Sequence, residues 1–358
     1  MKAMEMKKGD LCLVTGVSGY LASWLAKDLL EQGFTVRGTV RSLQDENRAA
    51  TLRALLPGIQ LVAADLRSAQ GWAEAVAGVK WVFHVASPQA VKSETGRTAV
   101  AVSGMRYVLG AAFASDSVCK IVVTSSEAAI AYGHPRSKRH FNEDDWTELS
   151  AIKGGDGADY FRSKTEAERL AWDWAQDPVR NPRRIPLSTI NPSLILGPSL
   201  VPWGRFSVDT LRNIAEGKMP LMPDMGVHVV DVRDCAKMHI ALMQDPAANA
   251  RRHMSLATTS RMVDLARVIR HEYADAGFTP STRLAPHWMM SLMHWVSADL
   301  ASIYSHLGNH LHYEPQHPEV YEYQYHDLTE IVRNTMDSML EHGWLTPRKP
   351  GHPTPRSA

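Results

Sequence analysis

Three apolar residues, Leu11, Leu13 and Val14, run into a short polar stretch, Thr15-Gly16-Val17-Ser18-Gly19. Beyond it, Leu21, Trp24, Leu25, Leu29 and Leu30 recur at helical spacing up to Gly33. That pattern predicts a buried strand, a glycine turn and a helix closed by its C-terminal glycine. Further apolar runs at 34–41, 59–66, 80–88, 119–126 and 185–192 predict strands, with helical stretches such as Thr98–Ala114 between them. A helix is expected from Tyr160 to Pro178, a short strand over His228–Asp234, and a helix over Cys235–Met243. Leu328–His342 predicts an amphipathic helix ending at Gly343. Strands alternating with helices predict an α/β fold: a doubly wound parallel sheet with right-handed crossovers. Residues 1–198 are expected to form it, with 226–250 returning to it. Residues 199–225 and 251–345 would form a smaller α+β substrate region, and 346–358 a flexible tail.

The first turn carries chemistry as well as shape. Gly16 and Gly19 allow a sharp bend and a close approach of a pyrophosphate to the backbone. The helix N-terminus that follows offers free N–H groups and the positive end of its dipole. Ala22 stands where a third small residue packs helix on strand. Read in this context, the turn predicts a Rossmann-type dinucleotide site involving Thr15, Gly16, Ser18, Gly19, Tyr20 and Leu21. The second strand ends in Val40-Arg41, where an NAD-selective protein would carry a carboxylate for the ribose. Arg41, with Arg48 beyond it, favours the 2′-phosphate of NADP(H), although exposed arginines are also common without a ligand. Asp65 ends the third strand, either beside an adenine or as cap of a helix from about Ala69.

The fifth strand ends in hydroxyls, Ser125-Ser126, and Tyr160 and Lys164 are spaced to share one helix face. Reduction of a carbonyl needs a proton at oxygen as a hydride reaches carbon. A phenol whose ordinary pKa is near 10 can deliver that proton if a neighbouring ammonium favours its ionised form. A serine hydroxyl can hold the oxygen in place. Ser126, Tyr160 and Lys164 supply those three parts.

Composition narrows the partners. The 358 residues are 44% apolar and 22% charged with a net charge of +1, an ordinary balance that argues against nucleic acid or an anionic membrane. Cys12, Cys119 and Cys235 form no C-x-x-C pair and suit buried thiols. Met1–Asp10 lacks the apolar core of a signal peptide, and no apolar run reaches the roughly eighteen residues of a spanning helix, so a cytoplasmic monomer or homodimer is expected. His306, His310, His312 and His317 have no acidic or cysteine partner at ligand spacing, so no metal is expected. Pro286–Trp295, rich in Met, Trp and His, suits a core helix or one covering an apolar cavity.

Taken together, Thr15-Gly16-x-x-Gly19-x-x-Ala22, Val36–Arg41, Ala64-Asp65-Leu66, Phe83–Pro88, Val123–Ser126, Tyr160-x-x-x-Lys164, Asn191-Pro192-Ser193…Gly197-Pro198 and Gly343-Trp344-Leu345 resemble one family over nearly the whole chain. It is the extended short-chain dehydrogenase/reductase superfamily, and within it the dihydroflavonol-reductase-like aldehyde and ketone reductases. The resemblance implies that Ser126, rather than Ser125, is the catalytic serine and Tyr160 the acid. Lys164 would bond the nicotinamide ribose and lower the pKa of Tyr160. Arg41 and Arg48 would take the 2′-phosphate, Asp65 and Leu66 flank adenine, and Val85, Ala86 and Ser87 pass under ribose and phosphates. Pro192, Ser193 and Leu194 would border the nicotinamide. Pro88, Ser126, Glu127 and Tyr160 would meet a small carbonyl or alcohol substrate.

Two departures bear on that substrate. Glu127-Ala128-Ala129-Ile130 follows the serine where a pair of small residues is usual, and Asp159-Tyr160-Phe161-Arg162 lacks the Cys-Tyr-Gly filling typical of cinnamoyl-CoA reductases. A hydrophobic aldehyde or ketone is therefore the expected substrate. The same fold also runs 3β-hydroxysteroid-dehydrogenase and sugar-nucleotide epimerase or dehydratase chemistry, which is the alternative. A nucleotide sensor without catalysis would lack the tyrosine that this chain retains.

Overall fold

The computed structural model describes residues 5–88, 96–152, 154–203, 207–286, 288–289, 307–308, 310–317 and 325–347. In chain order the first half forms β1 (Leu11–Val14), α1 (Tyr20–Glu31), β2 (Thr35–Val40), α2 (Glu46–Leu55), β3 (Gln60–Ala63), α3 (Trp72–Val76), β4 (Trp81–His84), α4 (Gly96–Ala114) and β5 (Lys120–Thr124). Next come β6 (His140–Phe141), α5 (Asp156–Gln176), β7 (Leu187–Pro192), β8 (Leu194–Leu196), α6 (Asp209–Ala215), β9 (Gly226–Asp231) and α7 (Val232–Gln244). The chain continues through β10 (Arg252–Ser255), β11 (Thr258–Arg261), α8 (Met262–Glu272), β12 (His312–Tyr313) and α9 (Leu328–Glu341).

Seven strands form one parallel sheet in the order β3-β2-β1-β4-β5-β7-β10. Helices cover both faces, which is why β4 and β7 are buried at every residue. Alternate side chains feed two cores. Val14, Phe83 and Val122 join Leu25 of α1 and Ile240 of α7 on one face. Leu13, Val82 and Ile121 join Leu109 of α4 and Ala171 of α5 on the other. Strand order reverses between β1 and β4, and such a switch point opens a crevice at the strands' C-terminal ends.

A smaller sheet, β11-β9-β8, pairs β8 parallel and β11 antiparallel to β9. It packs with α6, α8 and α9 around Leu211, Leu265, Ile269 and Met336. The two sheets exchange strands more closely than the expected boundaries. β8 leaves for the small sheet before Pro198, and β9 pairs there too, whereas α7 returns to pack on α1. β10, expected in the substrate region, is the seventh strand of the main sheet beside β7. Its Arg-His-Met-Ser sequence has no apolar alternation, so pairing with β7 makes it a strand. A two-residue parallel ribbon, β6 with β12, brings the C-terminal segment against the loop after β5.

No helix among the described residues is long and apolar enough to cross a membrane. Of the Pro286–Trp295 stretch, only Pro286, Trp288 and Met289 lie within the described residues, as do only Thr346 and Pro347 of the expected tail.

Candidate active site

The glycine turn closes through one buried hydroxyl. Thr15 Oγ1 accepts the N–H groups of Val85 (3.0 Å) and Ala86 (2.9 Å) and lies 2.9 Å from His84 Nδ1. Burial holds the His84 imidazole neutral, its pKa pushed down to about 3, so the Thr15 proton goes to Nδ1. The ends of β1 and β4 are thereby tied side by side. Gly16 has a left-handed φ of +67°, and a Cβ there would stand 3.0 Å from Ala86 Cβ. Its N–H donates to Thr39 Oγ1 at 2.8 Å, and Gly19 N–H donates to Gly16 O at 2.8 Å. The first N–H groups of α1 have no intrahelical partner, and its first turn carries no acid, so the cradle suits an anion. Ala22 is buried, as the turn's third small residue should be.

Two expected cofactor residues point elsewhere. The Tyr20 hydroxyl donates to Gly197 O at 2.7 Å, and Leu21 is buried in the core, leaving their backbone as the part available to a phosphate. Gly38 was missed by reading the motif alone: in the middle of β2 it makes room for Val17, whose Cγ1 would lie 2.5 Å from any Cβ. Trp203 was also missed. Its indole N–H donates to Ser18 O at 2.8 Å, and the Arg48 guanidinium lies 4.7 Å from its ring centroid. Arg41 is exposed just past β2. Asp65 is gripped by Arg67 through a fork of 3.0 and 2.6 Å, which holds its carboxyl below the usual range. It caps no helix, because α3 begins only at Trp72, after Gly71. Leu66, Ala86, Ser87, Pro88, Ser125 and Lys164 all line one crevice at the switch point.

Lys164 and Ser125 line that crevice, and the neighbouring Ser126 meets Tyr160. Ser126 Oγ lies 3.3 Å from Tyr160 Oη, and Lys164 Nζ donates to Ser125 O at 3.3 Å. α5 starts at Asp156, so Tyr160 sits in its second turn instead of opening it. Burial raises the Tyr160 phenol's pKa, the Ser126 hydroxyl lowers it, Glu127 raises it and Arg97 lowers it. Burial pushes the Lys164 ammonium down to about 8. Arg97 lies 5.5 Å from the Tyr160 ring centroid. It is held there by Asp159, whose carboxylate accepts Arg97 N–H at 2.9 Å and the Thr98 hydroxyl at 2.6 Å. Asp159 thus caps α4 and aligns it with α5 one residue before the tyrosine.

Behind these residues lies a buried hub. Glu168, one turn after Lys164, accepts from Ser125 Oγ (2.5 Å), Asn191 Nδ2 (2.8 Å), Thr189 Oγ1 (2.9 Å) and Arg252 Nε (2.7 Å). Asn191 also donates to Ser126 O at 3.1 Å. Although burial opposes it, Arg252 and these donors hold the Glu168 carboxyl below its usual range. Arg252 comes from β10, where the chain has no motif to announce it. At the end of β7, Pro192 leads to Ser193, whose Oγ is buried without a hydrogen-bond partner among the described residues, and Leu194 is half-buried. An orphaned donor bordering the crevice and a cradle that a Cβ would fill both fit a bound dinucleotide.

Glu127 begins the short turn Glu127–Ala129; His228 Nδ1 from β9 lies 3.8 Å from its Oε2, and its charge acts on the phenols of Tyr132, Tyr160 and Tyr313. A separate trio, Asp231, Asp234 and His326, brings ligand atoms within 4.8 Å of one another. Asp231 is spent on a two-pronged pair with Arg233 (2.8 and 2.8 Å), and Asp234 on the backbone N–H (2.9 Å) and ring (2.7 Å) of His326. Those contacts explain the trio without an ion.

Known proteins agree with this geometry. Residues 12–257 match the NAD dependent epimerase/dehydratase family. A cinnamoyl-CoA reductase of Medicago truncatula, CAD2, is 32% identical over 74% of this chain and 81% of its own. Cinnamoyl-CoA reductase 1 of Arabidopsis thaliana is 34% identical over 68% of this chain and 69% of its own. The structure of yeast methylglyoxal/isovaleraldehyde reductase Gre2 complexed with NADPH superposes with a TM-score of 0.76, at 20% identity, covering 93% of this chain and 99% of that one. The chain belongs to the NAD dependent epimerase/dehydratase family, as an extended short-chain dehydrogenase/reductase of the reductase kind.

Proposed function

We propose that this protein reduces a hydrophobic aldehyde or ketone to an alcohol, reversibly, with NADP(H). The observation that carries the reading is the 3.3 Å approach of Ser126 Oγ to Tyr160 Oη, one helical turn from the half-buried Lys164. The nicotinamide, when bound, supplies the hydride to the carbonyl carbon. Tyr160 donates the proton to the carbonyl oxygen as that charge develops, and Ser126 holds the oxygen within reach. Lys164, its pKa brought down to about 8, bonds the ribose hydroxyls and returns a proton toward Tyr160. Ser193 Oγ, buried with no hydrogen-bond partner among the described residues, would bond the nicotinamide edge.

Arg41 and Arg48 support NADP(H) over NAD(H): both stand past the end of β2, and the strand itself ends in Val40 and not in a carboxylate. Binding of NADPH by the yeast reductase is in keeping with this reading. The cinnamoyl-CoA reductases among the relatives act on a thioester, but Phe161, packed in a stack with Tyr132 at 3.9 Å, replaces their small filling beside the tyrosine. That bulk favours a small carbonyl substrate.

Tyr160→Phe tests the mechanism. Turnover should fall about 10²- to 10⁴-fold, the range for loss of a positioned acid, while NADPH affinity measured by fluorescence titration changes little. Near-normal turnover in that variant would overturn the assignment.

A further inference from the structure

Glu127 sits beside the catalytic serine in a place that packing alone would fill with an apolar side chain. Its side chain is 17% exposed, and its Oε2 is buried with no hydrogen-bond partner among the described residues. Each element packed around it contributes a titratable group: Tyr132 follows the same turn, Tyr160 comes from α5, His228 from β9 and Tyr313 from β12. His228 Nδ1 is 3.8 Å from Glu127 Oε2, beyond hydrogen-bond reach. His228 Nε2 is 3.2 Å from Leu311 O, an oxygen that can only accept, so Nε2 carries the ring's proton. The neutral ring therefore turns a lone pair toward Glu127.

An ionised Glu127 would turn its Oε2 toward that lone pair, with no hydrogen-bond donor bonded to it among the described residues. A buried carboxylate in such a setting is strongly disfavoured, whereas a carboxylic acid is a serviceable donor. Burial pushes the Glu127 carboxyl up to about 8 and the His228 imidazole down to about 4. The neighbouring phenols of Tyr132, Tyr160 and Tyr313 are all pushed up. His312, beside His228, only disfavours its protonation further.

We propose that Glu127 is a specificity-determining residue whose carboxylic O–H donates to a second oxygen of the substrate. It thereby selects carbonyl compounds that bear a hydrogen-bond acceptor within a few bonds of the reacting carbonyl. The inference rests on the reductase reading above. The placement supports it: Glu127 follows Ser126 in the chain, and its carboxyl is near enough to Tyr160, the other group holding that oxygen, for its charge to act on the phenol. A site built around a donor rejects an analogue that lacks the acceptor, because the donor is then left unpaired.

The test compares matched substrates on the full chain with NADPH: hexane-2,3-dione against 2-hexanone, and ethyl 3-oxobutanoate against 2-heptanone. The readout is the ratio of kcat/KM within each pair. Wild type should favour the acceptor-bearing member, and Glu127→Leu should collapse that ratio by at least about tenfold. Glu127→Gln, whose amide still donates, should retain it. In wild type the ratio should fall above about pH 8, where the carboxyl ionises, and stay flat in Glu127→Gln. Lys164 also titrates near there, but it acts on both members of a pair and cancels. An unchanged ratio in Glu127→Leu, or equal loss in the Gln and Leu variants, would overturn the role of Glu127 and leave the reductase reading standing. Should wild type reduce none of the four compounds, nor any aldehyde, both readings fall together.

Discussion

The two walls of the site are built from different materials. The cofactor wall is Thr15, Gly16, Gly19, Thr39 and Ala86, small residues at the ends of three neighbouring strands that present hydroxyls and backbone N–H groups. Its one titratable side chain, His84, is kept neutral by burial. On the proposed function the substrate would meet Glu127, Tyr132, Tyr160, His228 and Tyr313, bulky titratable groups drawn from segments far apart in the chain. A backbone cradle recognises a phosphate whatever else the protein does, because every chain has N–H groups to offer. A wall of side chains recognises one class of substrate, because each group's charge and reach are set by what surrounds it.

Three experiments press on that contrast, and the largest effect is expected where the walls join. Arg252→Leu leaves the Glu168 carboxylate buried without its cation, and loss of one partner from a buried pair costs about 3–5 kcal/mol. Urea unfolding should register that loss. A cost below about 1 kcal/mol would show that the Ser125–Asn191–Glu168 network holds the two walls together without the arginine. Gly16→Val attacks the cofactor wall alone. It forces a branched residue into a left-handed φ of +67° and drives its Cβ to 3.0 Å from Ala86. NADPH affinity should drop by about a hundredfold or more, with far-ultraviolet circular dichroism unchanged. Affinity within about tenfold of wild type would mean that side chains carry the cofactor after all.

The smallest effect belongs to the substrate wall. Glu127 has its folded pKa raised to about 8 from 4.5. Between those values the unfolded chain gives up a proton that the folded chain keeps, so wild-type stability falls as pH rises through that window and levels off above it. Glu127→Gln cannot ionise. Its Tm relative to wild type should therefore be a few degrees higher at pH 8.5 than at pH 5. A Tm difference that does not vary with pH would place an ordinary, solvated carboxylate at this position.

Much of this was legible beforehand. The strands at Leu11–Val14, Thr35–Val40, Trp81–His84 and Lys120–Thr124 declared themselves because a sheet covered on both faces demands continuous apolar runs. The turn from Thr15 to Ala22, the Ser126 strand end and the spacing of Tyr160 and Lys164 were readable for a similar reason: each is a local feature whose geometry follows from its own few residues. β10 was not readable, since Arg252–Ser255 becomes a strand only by pairing with β7. Nor were Trp203 over the turn, Arg97 over Tyr160 or Gly38 beneath Val17, because each contact joins residues that no local spacing links.

The amino-acid sequence alone therefore announced the parallel sheet, the glycine turn and the hydroxyls and amine proposed to react, since periodicity and short motifs act over one turn or one strand. Tertiary structure decided what those groups are held by and how they are charged. It set Arg97 over the Tyr160 ring. It brought Arg252 to Glu168, and it brought His228 to Glu127. Burial and partners are properties of the assembled protein, and a pKa depends on both.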